Sequence, residues 1–147
     1  MSDYTKVPVK GVKGAGVFVI VAAIIMIVAG IAVWILVATQ LSAEKITVSD
    51  DSTFMGGVFA GQQVQGPLTA YAQADIINHH ALEASGGATY AELAQDDPVR
   101  DTVMDASFLR ASLFTSVVAF GVCALVVGLG IVLGVIGGAL QRLARTP

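Results

Sequence analysis

Hydrophobic and polar positions fall into two long apolar blocks separated by a mixed segment. Between Lys13 and Glu44 lie thirty residues without a charge, GAGVFVIVAAIIMIVAGIAVWILVATQLSA; between Arg110 and Arg142 lie thirty-one more, ASLFTSVVAFGVCALVVGLGIVLGVIGGALQ. Roughly 20 apolar residues cross the hydrocarbon core of a bilayer, so each block predicts a spanning helix. Within hydrocarbon every backbone N–H and C=O has to be paired inside the segment, which makes both blocks helical despite their β-branched and glycine content. The first block is far longer than the apolar region of a signal peptide, about 7 to 15 residues. Although Leu41-Ser42-Ala43 is a cleavage-like tripeptide, this block reads as an uncleaved anchor.

The segment between the blocks carries local punctuation. Lys45-Ile46-Thr47-Val48-Ser49 alternates with β-branched residues and stops at Asp50-Asp51, which predicts a short strand. A glycine-spaced loop follows, with a second extended piece expected at Gln63 to Gln65. Gly66-Pro67 opens a helix and Gly86-Gly87 closes it. Its apolar positions Leu68, Ala72 and Ile76, with Tyr71 and Ala74 beside them, recur at helical spacing. Thr89-x-x-Glu92 fits a capping box and predicts another short helix. Asp97-Pro98 then caps a helix that nothing interrupts, so it should run through Val103, Met104 and Phe108 into the second span. The expected division is thus 1–13 as a cytoplasmic segment, 14–41 as the first span, and 42–97 as an extracytoplasmic segment. Residues 98–141 form a projecting helix continuing into the second span, and 142–147 a cytoplasmic tail. The fold class is an all-α membrane protein: two transmembrane helices with a mostly helical insert containing a short extended segment.

Charge orients this arrangement. Lys6, Lys10, Lys13, Arg142 and Arg145 flank the blocks on one side, and Lys45, Arg100 and Arg110 on the other. Cations are retained on the inner side, so both termini are expected in the cytoplasm, at the plasma membrane, with those five residues meeting anionic lipid headgroups. The stretch from Ser42 to Arg110 holds ten acids against three cations and presents an acidic surface. Fewer than about 60 residues lie outside the projecting helix, near the lower limit for an independent core. The segment should therefore pack on a protein partner, or on its own projecting helix and the bilayer surface.

Composition narrows the function. Only 13% of the residues are charged and the mean hydropathy is +0.77, against about 25% charged residues in an ordinary soluble domain. A net charge of −3 offers no basic face for nucleic acid. One Cys and two His cannot build a tetrahedral zinc site, and adjacent His79 and His80 point about 100° apart on a helix. Each is expected to pair locally, His79 with Asp75 and His80 with Glu83. Cys123 lies deep in the second block and behaves as a small apolar group. Neither block contains an ionisable group for transport or a ligand set for haem. No cofactor, metal or catalytic constellation is predicted, and the chain reads as a non-enzyme.

Small residues are the remaining signal. Gly130, Gly134 and Gly138 repeat every four residues and would clear a groove for another helix. Gly128-Leu129-Gly130 is not a dinucleotide fingerprint, which must follow a strand. On the first block Ala15, Ala22 and Ala29, with Gly16, Ala23 and Gly30, repeat every seven, a spacing that suits a left-handed seam. These faces serve either packing of the two spans on each other or packing on foreign helices.

Several stretches, Ile46-Thr47-Val48, 66–74 (GPLTAYAQA), 89–93 (TYAEL), Asp97-Pro98 and 106–114 (ASFLRASLF), resemble an actinobacterial family of small two-span membrane proteins. Members often carry the label of aromatic ring-opening dioxygenase; such a reaction wants two His and a carboxylate converging on iron, which the diverging His79 and His80 do not offer. The chain is also similar to accessory subunits of the actinobacterial cytochrome bcc-aa3 respiratory supercomplex, specifically its association factor. That resemblance implies a cofactor-free two-span subunit bound at the periphery of cytochrome bc and oxidase subunits. The expected function is a non-catalytic accessory or structural subunit of a membrane complex. The alternative is a free-standing envelope receptor or regulator that binds a soluble ligand through its acidic outer segment.

Overall fold

The computed structural model describes residues 11–144. Three α-helices follow in order: α1 (Val12–Ala43), α2 (Pro67–Ala84) and α3 (Arg100–Leu143), with a short 3-10 turn at Phe54–Gly57. Among the described residues α1 and α3 are long and apolar enough to cross a membrane. At 1.5 Å per residue their 32 and 44 residues extend about 48 and 66 Å, against a hydrocarbon thickness of about 30 Å.

The chain divides into two compact units: Trp34–Gly121, and the residues up to Val33 together with those from Val122 onward. In the second of these the helices are antiparallel and meet at three close approaches. A Cβ on Gly16 would lie 3.2 Å from the Gly137 carbonyl oxygen, one on Gly130 would lie 3.0 Å from that of Ala23, and one on Gly30 would lie 3.2 Å from that of Cys123. The register therefore steps by seven along each helix, the spacing of a left-handed seam. Gln141 locks one end of it, donating from Nε2 to the Lys13 carbonyl at 2.9 Å.

In the unit Trp34–Gly121 the core gathers Leu41 from α1, Leu113 and Phe120 from α3, and Val48, Val64, Ala70, Ala72 and Ala74 from the connecting segment. Of the two supports expected for the connecting segment, its own long helices supply one. The extended pieces meet at an isolated antiparallel bridge between Thr47 and Gln63, not at a strand pair. The Val48 N–H donates to Gln62 O at 2.9 Å and the Val64 N–H to Ile46 O at 2.8 Å. Alternation buries Val48 and Val64 completely while Thr47 and Gln63 face out. Gln73 of α2 pins the first piece by accepting from the Ser49 N–H at 2.9 Å.

Local signals place α2. Pro67 starts it, and Thr69 Oγ1 accepts from the Gly66 N–H at 3.2 Å. Gly86 and Gly87, both left-handed, end it, with the Gly87 N–H returning to Leu82 O at 2.7 Å. Its inward face is Ala70, Ala72, Ala74 and Ile76; Leu68 and Tyr71, expected inside, are 50% and 38% exposed. Alanines let the extended pieces approach the helix closely.

Two expectations are corrected. Only half of the capping box forms: the Thr89 N–H donates to Glu92 Oε2 at 2.8 Å, but Thr89 Oγ1 donates to the same carboxylate at 2.7 Å, leaving the Glu92 N–H to the Thr89 carbonyl, and only a turn follows. Arg100 donates to the carbonyls of Tyr90 and Leu93, the acceptors that a growing helix would need, and stacks 4.2 Å over the Tyr90 ring. The connecting segment is consequently less helical than its composition suggests, with α2 as its one α-helix among the described residues. The projecting helix does run on without a break: Asp97 Oδ1 accepts from the Val99 N–H at 2.9 Å, and α3 continues to Leu143.

Candidate functional site

Helix-packing residues were the principal sites expected, and the structure separates them. Gly30 and Gly130 are buried at the helix contact, together with Gly16, Ala23 and Gly137. Gly134 is at its margin, where a Cβ would meet Ala23 Cβ at an ordinary 3.8 Å. A Cβ on Gly138 would meet nothing within 4 Å. Ala22 is half-buried and Ala29 exposed. The row spaced by four is therefore not the seam. Each step of four turns about 40° around a helix, so Gly138 stands about 80° from Gly130, whereas a step of seven drifts only about 20°. Gly137 was missed although its spacing from Gly130 repeats the seven-residue period legible in α1.

Gly134 and Gly138 instead line an open apolar groove of 930 Å³ with Ile24, Ile131 and Val135, which ends at Arg142. Of the expected headgroup cations, Lys13 is exposed in the first turn of α1 and Arg142 in the last turn of α3, within the same unit. Lys6, Lys10 and Arg145 lie outside the described residues.

The histidines diverge as helix geometry demands, but their partners differ from those expected. His79 Nε2 pairs with Glu83 at 3.3 Å, one turn forward, and not with Asp75. His80 Nε2 reaches Asp51 Oδ2 at 2.6 Å, across 29 residues, and not Glu83. Folding of the turn at 49–52 against α2 created that acceptor, which sequence separation concealed. Asp51, Asp75, Glu83 and His79 border a small open depression, but the described residues contain no His/Cys/Asp/Glu group able to hold a metal.

The hydrogen bond from His80 holds the Asp51 carboxyl below its ordinary value of 3.8. A depressed carboxyl contributes stability above 3.8, and that contribution is lost as the pH falls through the lower folded value. Replacing His80 with Ala should raise the Asp51 titration midpoint, read by carboxyl NMR, toward the ordinary value. A midpoint that stays depressed would show that the local backbone N–H, not His80, sets it.

Outside the long uncharged helical runs lies a second groove. Ile77, Ala81 and Ala84 of α2 with Ala106 and Leu109 of α3 enclose a groove of 460 Å³, rimmed by His80, Thr102 and Asp105. Leu109 and its neighbour Phe108 are 51% and 65% exposed. The helical period of α3 placed both on one continuous helix, but their exposure depends on where α2 packs. No family model, curated protein or solved structure matches this chain.

Proposed function

We propose that this protein is a non-catalytic accessory subunit of a plasma-membrane complex, spanning twice with both termini in the cytoplasm. The observation that carries the reading is the apolar groove between α2 and α3, with Leu109 on its wall and Phe108 beside it. It lies on the water side of Arg110, the charge that ends the second uncharged run, so lipid tails do not cover it. Exposed apolar surface of this kind, rimmed by polar residues, fits a protein partner. The mixed lining of Ala, Leu, Thr and Asp suits the side of another subunit's extramembrane helix or loop. The cation count supports the orientation, and the resemblance to accessory subunits of the cytochrome bcc-aa3 supercomplex supports cytochrome bc and oxidase subunits as partners. Anionic lipid at the cytoplasmic face suits Lys13 and Arg142.

Purification of the tagged full chain in mild detergent tests this. Reduced-minus-oxidised spectra of the eluate should show co-purifying b-, c- and a-type haems, and Leu109→Glu should abolish them while leaving the chain at normal abundance. A haem-free monomer from the unaltered chain would overturn the reading and favour the receptor alternative, in which the acidic outer segment binds a soluble ligand.

A further inference from the structure

The segment between the long helices holds eight acids, yet residues 52–74 carry no charge. This is its longest uncharged stretch, bounded by Asp51 and Asp75. It folds into the 3-10 turn, the second extended piece and the first half of α2. From it Met55 is 62% exposed, Val58 59%, Leu68 50% and Tyr71 38%. Scattered exposed apolar residues are ordinary; four from one uncharged stretch of an acidic segment form a face. Met55 also adopts a left-handed backbone, φ 49°, uncommon for a non-glycine residue.

Ring contacts fix the level of this face along α3. Phe54 lies 4.9 Å from Tyr71, and Tyr71 lies edge-on 5.7 Å from Phe114. The Arg110 guanidinium lies 5.7 Å from that same Phe114 ring. Arg110 is the last charge before the uncharged run 111–141. On the spanning reading, this is where headgroups give way to hydrocarbon, and where tyrosine, with an apolar ring and a polar tip, is favoured. One helical turn further along, Val118 is 64% exposed on a surface that would face acyl chains. Carboxylates resist leaving water, so of this segment only the uncharged stretch can enter the headgroup and upper acyl region.

We propose that the connecting segment is itself a lipid-binding element: Met55, Val58, Leu68 and Tyr71 seat in the headgroup and upper acyl region of the outer leaflet. The contact rests on the spanning reading and adds to it a third membrane attachment, made by a turn that does not cross.

Depth-dependent quenching distinguishes the two. The full chain, with Cys123→Ala, is reconstituted in phosphatidylethanolamine–phosphatidylglycerol vesicles and labelled with bimane at Met55→Cys, Val118→Cys or Asp96→Cys. Nitroxide lipids labelled near the carbonyl or near the chain end act as quenchers. The Met55 probe should be quenched about two-fold more by the shallow nitroxide than by the deep one, as burial of about 5–10 Å requires. The Val118 probe should be quenched by lipid, and the Asp96 probe by neither. Quenching at Val118 with none at Met55 would overturn the inference and leave the spans intact. A blue-shifted Met55 probe untouched by lipid nitroxide would mean that protein covers the face, which also overturns it. Absence of quenching at Val118 as well would remove the spanning reading itself.

Discussion

Gly130→Leu should deplete the protein from the membrane fraction, whereas Gly138→Leu should leave its abundance unchanged. A Cβ on Gly130 would stand 2.7 Å from Ile27 Cγ1 and 3.0 Å from the Ala23 carbonyl oxygen. The isoleucine can rotate; the carbonyl belongs to the α1 backbone and can move only if the helices separate. Overpacking costs about 1–3 kcal/mol where side chains can adjust, and a leucine wedged against backbone lies at the upper end. Helix association in lipid has no hydrophobic driving force to compensate, since acyl chains solvate the separated helices equally well. Insertion itself should survive, because leucine partitions into hydrocarbon at least as well as glycine. The expected outcome is a marked fall in detergent-solubilised melting temperature and in steady-state level, with Gly137→Leu matching Gly130→Leu. Equal melting of the Gly130 and Gly138 variants would show that the helices do not meet in this register.

Val64→Asp should unfold the connecting segment while leaving both long helices inserted. Val64 is fully buried among Val48, Leu41 and the alanines of α2, and its N–H is already committed to Ile46. A carboxylate there finds no cation, and an uncompensated buried charge costs about 3–5 kcal/mol. Small domains hold about 5–15 kcal/mol in all, and one with so few residues lies at the low end, so the loss should open this one. Limited proteolysis of the reconstituted protein should then cut within 46–66 at least ten times faster, while the fragments remain carbonate-resistant. Unchanged cleavage would place Val64 outside the core.

The features legible in the sequence were those decided within a few residues or by bulk composition. Two uncharged runs of thirty and thirty-one residues leave the backbone no option but helix in hydrocarbon, and two helices of the required length and apolarity are found. Pro67, Gly86-Gly87 and Asp97-Pro98 act on backbone groups at most five residues away; α2 begins and ends beside the first two, and α3 begins beside the third. Even so, local chemistry reached only as far as its own hydrogen bonds. Glu92 reached back to the Thr89 N–H, but the Thr89 hydroxyl turned to the same carboxylate and Arg100 bonded the carbonyls of Tyr90 and Leu93, so no helix grew.

Tertiary structure decided which face met which. Glycine rows spaced by four and by seven coexist on α3, and both clear space for a neighbour. The antiparallel register of Gly16 with Gly137, Ala23 with Gly130 and Gly30 with Cys123 selects the row spaced by seven, because only that period stays on one side of a helix over several turns. His80 found Asp51, not Glu83, for a related reason: a carboxylate 29 residues away came nearer than the one 3 residues away. A periodic sequence specifies that a helix has a packing face, but the partner that fills it is set by contacts whose separation along the chain no local pattern records.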